Sequence, residues 1–475
     1  MHPGLDKVQA PKLPTFKDDE TVEEILKIEM DEDVECMSKI SDSDFLLPKE
    51  RISSILARLT EQEMVDLYKI LVRLPCGILA IHGGARCGKT WIMMTLLELV
   101  RAQGKRAIIC SSTTIAVNNI AGRYMELDSE EQALSVRLHP HSFETHATLA
   151  HDPEIEIPKG FASAAKQKRV DKMLWEDYIH FAKCMKVPRL DPDEDGWKSI
   201  KTDGKRCAKE IVGGADFVFS TCITAGSKWA RQFRHECDFV FLDEAGSITE
   251  AEALILWKGD KPLVLGGDTK QLPPPCLSSS MKHVEGSAVN GFSDQVKYPI
   301  LERLCDIGFP FYLIPEQMRL GTGQFDLANV LHYDNKIRYH VTNKLTALTV
   351  IFEAWTPEFS QSTIAKSPTG KSFPLLLAVA NSHTFVEPKG ISKGNSHFIH
   401  YRITSLLSFF TFCKIRGIIL ETSDFAIITP YQKEASMWKK ALSHHQQLLG
   451  IQIATVNSMQ GFEKEKQKRK TVFNS

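Results

Sequence analysis

The stretch that decides the fold reads Gly83-Gly84-Ala85-Arg86-Cys87-Gly88-Lys89-Thr90. It follows the apolar run Gly77–His82 and precedes a helix-forming segment that starts at Trp91. A strand, a glycine-rich loop, Lys-Thr and a helix, in this order, are typical of a P-loop. Backbone N–H groups of such a loop close around phosphate oxygens, and the positive end of the helix adds to the attraction. We therefore expect all eight residues to bind a nucleoside triphosphate, with Lys89 on the terminal phosphates and Thr90 on Mg²⁺.

Composition places few limits on the function. The 475 residues are 43% hydrophobic and 25% charged, with a net charge of −1, so any nucleic-acid binding must depend on a local surface. The eleven cysteines are scattered and form no Cys-x-x-Cys pair, which favours reduced thiols in the cytoplasm or nucleus. The amino-terminal residues lack the apolar core of a signal peptide, and the apolar stretches are too short to span a bilayer. We expect an intracellular protein without a membrane segment.

Charge and periodicity divide the chain into three parts. Residues 1–50 carry fourteen acidic against six basic side chains, which predicts an acidic, largely disordered tail. From residue 51, short apolar runs alternate with helix-like segments, as in a parallel α/β sheet that is covered on both faces. The predicted strands are Gly77–His82, Arg106–Ser111, Asp216–Ser220, Asp238–Leu242 and Leu263–Gly267, and the predicted helices are Trp91–Gln103, Ile115–Met125 and Glu250–Trp257.

Residues at about 128–212 interrupt this alternation with charged, helix-rich sequence, and we interpret them as an insertion in a first domain spanning 51–296. A second series of signals predicts a smaller sheet domain at 297–475. Its expected elements are the strands Phe311–Ile314, Pro374–Ala380, Phe425–Thr429 and Ile451–Thr455 and the helix His397–Lys414. Nothing after Phe462 resembles a further strand and helix, so this second domain is expected to be incomplete.

An Asp-Glu pair supplies the second chemical signal. The apolar run that starts at Asp238 ends in Asp243-Glu244, which places both carboxylates at the strand end where the P-loop also lies. Asp243 is then suited to hold Mg²⁺. In-line attack on the terminal phosphate needs a base on the far side, and this role falls to Glu244.

The third signal is Gly267-Asp268-Thr269-Lys270-Gln271, followed by Leu-Pro-Pro. The loop comes directly after a predicted strand, so Gln271 is well placed to contact the terminal phosphate and to sense its loss. Asp268 is suited to support the water shell of Mg²⁺.

Taken in order, these motifs resemble those of superfamily 1 helicases, specifically the senataxin and nonsense-mediated-decay helicase group, superfamily 1B. The resemblance covers residues 51–463 and implies two RecA-like domains that hold ATP. It implies that Ser112, Thr113 and Thr221 contact the backbone of a single nucleic-acid strand. In Glu316-Gln317-Met318-Arg319, it makes Arg319 the arginine finger and Gln317 a nucleotide-binding residue. The late motif that ends at Phe462-Glu463 adds Gly461 and Glu463 to the nucleotide site.

The chain also departs from the family pattern. Arg86 stands where the family has Gly, and Met318 stands where the family has a Tyr that stacks on adenine. An arginine-bearing last motif that should follow Glu463 is absent from the sequence. The expectation is a truncated product or a degenerate relative with slow turnover, because phosphoryl transfer depends strongly on its finger arginines.

Three functions follow from these observations. The first is an ATP- and Mg²⁺-dependent helicase or translocase on single-stranded RNA or DNA. The second is a slow or inactive ATP-binding protein that still binds nucleic acid, and the third is a nucleotide switch unrelated to nucleic acid. Backbone contacts do not separate RNA from DNA, and the sequence names no protein partner.

Overall fold

The computed structural model describes residues 49–72, 74–126, 133–139, 206, 209–276, 278–279, 281–318, 320–341, 343, 345, 347–360, 367–380, 382–386, 392–456 and 471–474. The acidic tail predicted at 1–50 lies outside these ranges, except for the two residues that begin the first helix. Contacts divide the chain into two compact units. The first contains the residues up to Gly83 and Gly88–Ile314, and the second contains Gly84–Cys87 and the residues from Pro315 onward.

A seven-stranded parallel sheet forms the centre of the first unit, which confirms the predicted α/β fold. Its strands lie side by side in the order β3-β4-β2-β5-β6-β1-β7. The five predicted strands are present to within one residue at each end, because a continuous apolar run suits a strand that is buried on both faces. The strands are β1 Ile78–His82, β2 Ala107–Ser111, β3 Ser135–Arg137, β4 Phe217–Thr221, β5 Phe239–Asp243, β6 Leu263–Gly267 and β7 Tyr312–Leu313.

Helices connect and cover these strands. Gly88 adopts φ 95°, a left-handed conformation that glycine tolerates, directly before the helix of the P-loop. Thr249 and Glu252 form a reciprocal capping box at the start of the helix that follows the Asp-Glu pair. The helices of this unit are α1 Lys49–Leu56, α2 Glu61–Val72, α3 Lys89–Ala102, α4 Thr114–Glu126, α5 Cys222–Ala225, α6 Arg231–Glu236, α7 Glu250–Leu256, α8 Ser293–Val296 and α9 Ile300–Asp306.

Two strands of this sheet differ from expectation. β3 lies inside the segment interpreted as an insertion and pairs with β4, so the chain returns to the sheet within that segment. The strand expected at Phe311–Ile314 was assigned to the second domain, but β7 pairs with β1 of the first sheet. The position of this strand in the sequence does not show which sheet it joins, because a parallel strand pairs with any sheet edge that is free. Here the free edge is that of β1. The predicted boundary at residue 297 therefore lies within the first unit.

The second unit has a smaller parallel sheet in the order β13-β12-β14. Its third strand corrects the expectation that no strand follows Phe462, because Thr471–Asn474 pairs with Phe425–Ile428. β-Branched and aromatic residues favour this pairing, although a basic run precedes them. The strands of this unit are β8 Glu316–Gln317, β9 Arg338–Tyr339, β10 Phe385–Val386, β11 Lys393–Gly394, β12 Phe425–Thr429, β13 Gln452–Thr455 and β14 Thr471–Asn474, and the helices are α10 Asp326–His332, α11 Ala347–Ser360, α12 Ser396–Ile415 and α13 Gln432–Leu442.

The strand predicted at Pro374–Ala380 is wrong. These residues have no regular secondary structure, and Leu376 is 92% exposed. An apolar run becomes a strand only where its backbone finds a partner, and Pro374 lacks the N–H that a ladder needs.

Each unit has its own hydrophobic core. In the first unit Ile108, Val218, Val240 and Leu265, from four neighbouring strands, are fully buried on one face of the sheet. The second core is aromatic, and in it the rings of Trp355 and Phe409 meet edge to face at 5.3 Å. Among the described residues, we find no helix with the length and apolar character needed to cross a membrane.

Candidate nucleotide and nucleic-acid site

The phosphate loop begins where β1 ends. Gly83 N–H donates to the carbonyl oxygen of Gly267 at 3.2 Å, which ties the start of the loop to β6. Nζ of Lys89 donates to the carbonyl oxygen of Gly83 at 2.8 Å, and this lysine is buried. Thr90 follows in the first turn of α3 and is half-buried. The first unit thus holds the lysine and the hydroxyl of the predicted phosphate site at the carboxyl edge of its sheet.

The tip of the loop, Gly84–Cys87, groups with the second unit. Met318 N–H donates to the carbonyl oxygen of Arg86 at 3.3 Å. Arg86 adopts φ 64°, the left-handed conformation that an L-residue with a side chain adopts at a cost of about 1 kcal/mol. The position where the family pattern has Gly therefore requires the backbone conformation that Gly accommodates best.

The carboxylates of the Asp-Glu pair lie next to the loop. Asp243 is the last residue of β5 and pairs in register with Gly266 of β6. It is buried, and burial together with the charge of Glu244 raises the pKa of Asp243 to about 7, although Lys89 opposes the shift. Glu244 has φ 55°, also left-handed, so the chain turns sharply after the strand. A buried carboxylate in this state is suited to a cation that restores its charged form.

The loop after β6 forms a small hydrogen-bonded network. Nε2 of Gln271 donates to Asp268 at 2.7 Å, and the N–H of Lys270 donates to the same carboxylate at 2.9 Å. The backbone N–H of Thr269 donates to Nε2 of His82 at 3.1 Å, which joins this loop to the end of β1. Burial, as the largest effect, lowers the pKa of His82, so its neutral form is favoured. Sequence reasoning missed His82, whose only signal was a polar residue at the end of an apolar run.

The three residues predicted to contact nucleic acid lie at the same edge of the sheet. Ser112 follows β2, and Thr221 ends β4, which pairs with β2. The hydroxyl of Thr113 accepts from Ala116 N–H at 3.2 Å, and that of Thr221 accepts from Thr224 N–H at 3.3 Å. Both threonines thus stabilise the starts of the helices that follow them, and their contact with nucleic acid stays a prediction.

Ser247 is a second residue that sequence reasoning missed. It is buried three residues beyond Glu244, and its hydroxyl lies 2.8 Å from the hydroxyl of Ser112. The two serines are 135 positions apart, so no local pattern links them. They connect the strand end of the nucleic-acid candidates to that of the Asp-Glu pair.

The predicted residues of the second unit are less fully placed. Gln317 is completely buried, and its side-chain oxygen accepts from Leu320 N–H at 2.9 Å. This bond fixes the side chain of Gln317 to the backbone of Leu320, and a nucleotide contact by Gln317 stays a prediction. Arg319, Gly461 and Glu463 lie outside the described residues.

A magnesium site is consistent with the donors of the first unit. Thr90 and Asp243 offer a hydroxyl and a carboxylate, and Mg²⁺ prefers such oxygen ligands, commonly one or two from protein together with phosphates. In the part of the chain that the structure describes, no cluster of three or more His, Cys, Asp or Glu residues is arranged to hold a metal on its own.

Comparison with known proteins matches this chain to two family models and to several named relatives. Two family models, each described as an AAA domain, match residues 189–279 and 296–466. The regulator of nonsense transcripts 1 of Caenorhabditis elegans is 24% identical over 313 residues, which are 66% of this chain and 26% of that protein. The DNA polymerase alpha-associated DNA helicase A of Schizosaccharomyces pombe is 23% identical over 396 residues, 81% of this chain and 54% of the relative.

A third relative is the DNA-binding protein SMUBP-2 of Rattus norvegicus, 24% identical over 417 residues, 81% of this chain and 37% of its own length. The chain thus spans between about a quarter and about half of the length of these relatives.

Proposed function

The chain belongs to the superfamily 1B helicase group, and from this membership we propose that it is an ATP-dependent helicase or translocase that moves along single-stranded RNA or DNA. The single observation that carries the proposal is the order of the residues along one sheet edge. The nucleotide candidates lie at the ends of β5, β6 and β1, and the nucleic-acid candidates lie at the ends of β2, which pairs with β5, and of β4, which pairs with β2. One sheet therefore carries both sets of candidate residues.

Each nucleotide residue of the first unit has a chemical task in this proposal. Lys89 exchanges its hydrogen bond to the carbonyl oxygen of Gly83 for hydrogen bonds to the terminal phosphate oxygens. Thr90 and Asp243 would hold Mg²⁺, which would supply neutralising charge to the phosphates. Glu244 orients water and takes its proton, and Gln271 contacts the terminal phosphate through the loop that Asp268 stabilises. We propose Arg319 as the arginine finger of the second unit.

Nucleic acid is proposed to bind through its phosphates. Ser112, Thr113 and Thr221 present hydroxyl groups, which recognise phosphate oxygens without reading bases. Binding of this kind is independent of sequence and falls with salt. We further propose that the chain forms two motor domains, the second of which begins near Pro315, that the insertion of the first domain lies between β3 and β4, and that the protein acts in the cytoplasm or nucleus.

One observation favours the second candidate, an ATP-binding protein with slow or no turnover. Arg86 holds a strained left-handed conformation at the tip of the phosphate loop, where its side chain is exposed. Strain in a loop that has to close on phosphate reduces the binding energy of the nucleotide, and less of that energy is then left to accelerate hydrolysis.

Hydrolysis and strand displacement test the two candidates together. We expect Mg²⁺-dependent ATP hydrolysis that rises when a single-stranded RNA or DNA 20-mer is added, and displacement of a duplex with a 5′ tail. Glu244→Gln is the matched control, since it removes the base and keeps the shape. It should lower kcat by at least about 100-fold. Binding of ATP and nucleic acid with no stimulated hydrolysis in the unmodified protein would instead support the second candidate.

A further inference from the structure

Ser247 is placed to control the turn that carries Glu244. Its hydroxyl donates to the carbonyl oxygen of Glu244 at 2.9 Å, and its backbone N–H donates to the same oxygen at 2.8 Å. The turn has no space to spare, because a side chain at Gly246 would collide with the carbonyl oxygen of Asp268. Any change at Ser247 is therefore transmitted to the backbone of the catalytic glutamate.

The proton count fixes the direction of the bond between the two serines. A serine hydroxyl has a single proton to donate. Ser247 gives its proton to Glu244, so in the 2.8 Å contact between the hydroxyls Ser112 must be the donor. The proton of Ser112 is thus already committed to Ser247 in the absence of nucleic acid.

A phosphate oxygen competes for the same proton. Backbone phosphates carry no proton at neutral pH, so Ser112 can contact one only by donating to it. The donation to Ser247 and the donation to phosphate therefore exclude each other. Resting on the proposed function, we propose that the Ser112–Ser247 hydroxyl pair is the regulatory link through which nucleic acid stimulates hydrolysis, with Ser247 as a positioning residue for Glu244.

The link acts in both directions. When a phosphate oxygen accepts the hydrogen bond of the Ser112 hydroxyl, Ser247 loses its donor, and the turn around Glu244 is free to shift. Because binding effects are reciprocal, the bond between the serines also opposes the binding of nucleic acid. Removal of the Ser247 hydroxyl leaves the hydroxyl of Ser112 free to donate to phosphate, so nucleic acid binds as tightly as before or more tightly, while its stimulation of hydrolysis weakens.

Three serine variants of the full chain test the proposal. Ser247→Ala should lower the ratio of stimulated to basal kcat by about three- to tenfold, the effect of one neutral hydrogen bond. Its Kd for a single-stranded 20-mer should stay equal or fall. Ser112→Ala should lower the same ratio but raise the Kd. Ser111→Ala is the matched control, since this neighbouring hydroxyl is buried and forms no hydrogen bond to another described side chain or backbone group. It should leave both quantities unchanged.

The outcomes separate this proposal from the proposed function. A wild-type protein without stimulation contradicts the function itself. A stimulated wild-type protein whose Ser247→Ala variant keeps the full ratio, or shows a raised Kd, overturns the hydroxyl link. If the alanine variant fails to fold, Ser247→Cys provides the same test, because its thiol has a similar size and is a weak hydrogen-bonding group. An unchanged ratio in that variant equally overturns the link.

Discussion

Nζ of Lys89 lies 2.8 Å from the carbonyl oxygen of Gly83, so the phosphate loop holds its lysine by the first residue of the loop. The bond positions the ammonium group, which is buried, before any phosphate arrives. The nucleotide has to replace one backbone acceptor with phosphate oxygens, and these are better acceptors because they are charged.

Lys89→Met should therefore weaken nucleotide binding strongly. Hydrogen bonds to charged groups contribute about 1.5–3 kcal/mol, which predicts roughly a 10- to 150-fold increase in the Kd. A fluorescent, nonhydrolysable ATP analogue measures this change by titration. Lys270→Met serves as the control, since Lys270 is exposed on the loop after β6. An equal loss of affinity in both variants would show that general charge, and not the loop lysine, attracts the nucleotide.

Arg86→Gly should relieve the strain at the tip of the loop. Arg86 has φ 64°, whereas its exposed neighbour Ala85 is not among the residues with positive φ. Both replacements by glycine increase the conformational freedom of the unfolded chain. The difference between the free energies of unfolding of the two variants therefore reports the backbone conformation at position 86. We expect Arg86→Gly to be more stable than Ala85→Gly by about 1 kcal/mol in urea unfolding. Equal stabilities of the two variants would refute the assignment of strain to Arg86.

Short-range patterns predicted those parts of the molecule that depend on neighbouring residues. The strand that ends at Asp243 was predicted because every residue from Phe239 to Leu242 is apolar, and the same pattern predicted the position of the carboxylates at the strand end. The strand Ser135–Arg137 was not predicted because it has only three residues and lies among charged ones, although Arg137 is almost completely buried. Neither length nor composition distinguishes such a strand from a loop.

Contacts between residues that are far apart in the chain could not be predicted from the sequence. His82 and Thr269 are 187 positions apart, and each belongs to a different motif. Their bond arises only because β1 and β6 are neighbours in the sheet, and the order of parallel strands is not visible in any single segment. The P-loop, the Asp-Glu pair and the loop of Gln271 were therefore predicted as separate motifs, without the hydrogen bonds that join them.

His82→Phe should destabilise the protein at pH 8 and make its stability less sensitive to acid. Phenylalanine keeps a ring near Phe311, whose ring lies 5.6 Å from that of His82, but leaves the N–H of Thr269 without its acceptor. The expected loss at pH 8 is about 1–3 kcal/mol. The pKa of His82 is lowered in the folded chain, chiefly by burial, so its contribution is complete above the unfolded pKa and is lost as the pH falls through the folded value.

Urea unfolding at pH 8 and pH 5 measures both effects. The difference between the wild-type protein and His82→Phe should narrow at pH 5, because protonation of Nε2 removes the acceptor in the wild type as well. Thr269→Val removes only a hydroxyl and keeps the backbone N–H, so it should cost less at pH 8. A difference that is constant between the two pH values would contradict the role of neutral His82.

Asp243→Asn should abolish Mg²⁺-dependent hydrolysis and yet stabilise the protein when nucleotide and Mg²⁺ are absent. Burial raises the pKa of Asp243 to about 7, well above the value of about 3.9 for an unfolded aspartate. The stability that this group contributes is complete below the unfolded pKa and is lost as the pH rises through the folded pKa. The advantage of the asparagine variant should therefore grow by on the order of 2 kcal/mol between pH 5 and pH 8. Urea unfolding in EDTA measures this advantage, and Asp260→Asn serves as the control because Asp260 is exposed. If the advantage of Asp243→Asn does not grow with pH, or if Asp260→Asn shows the same advantage, burial does not raise the pKa of Asp243.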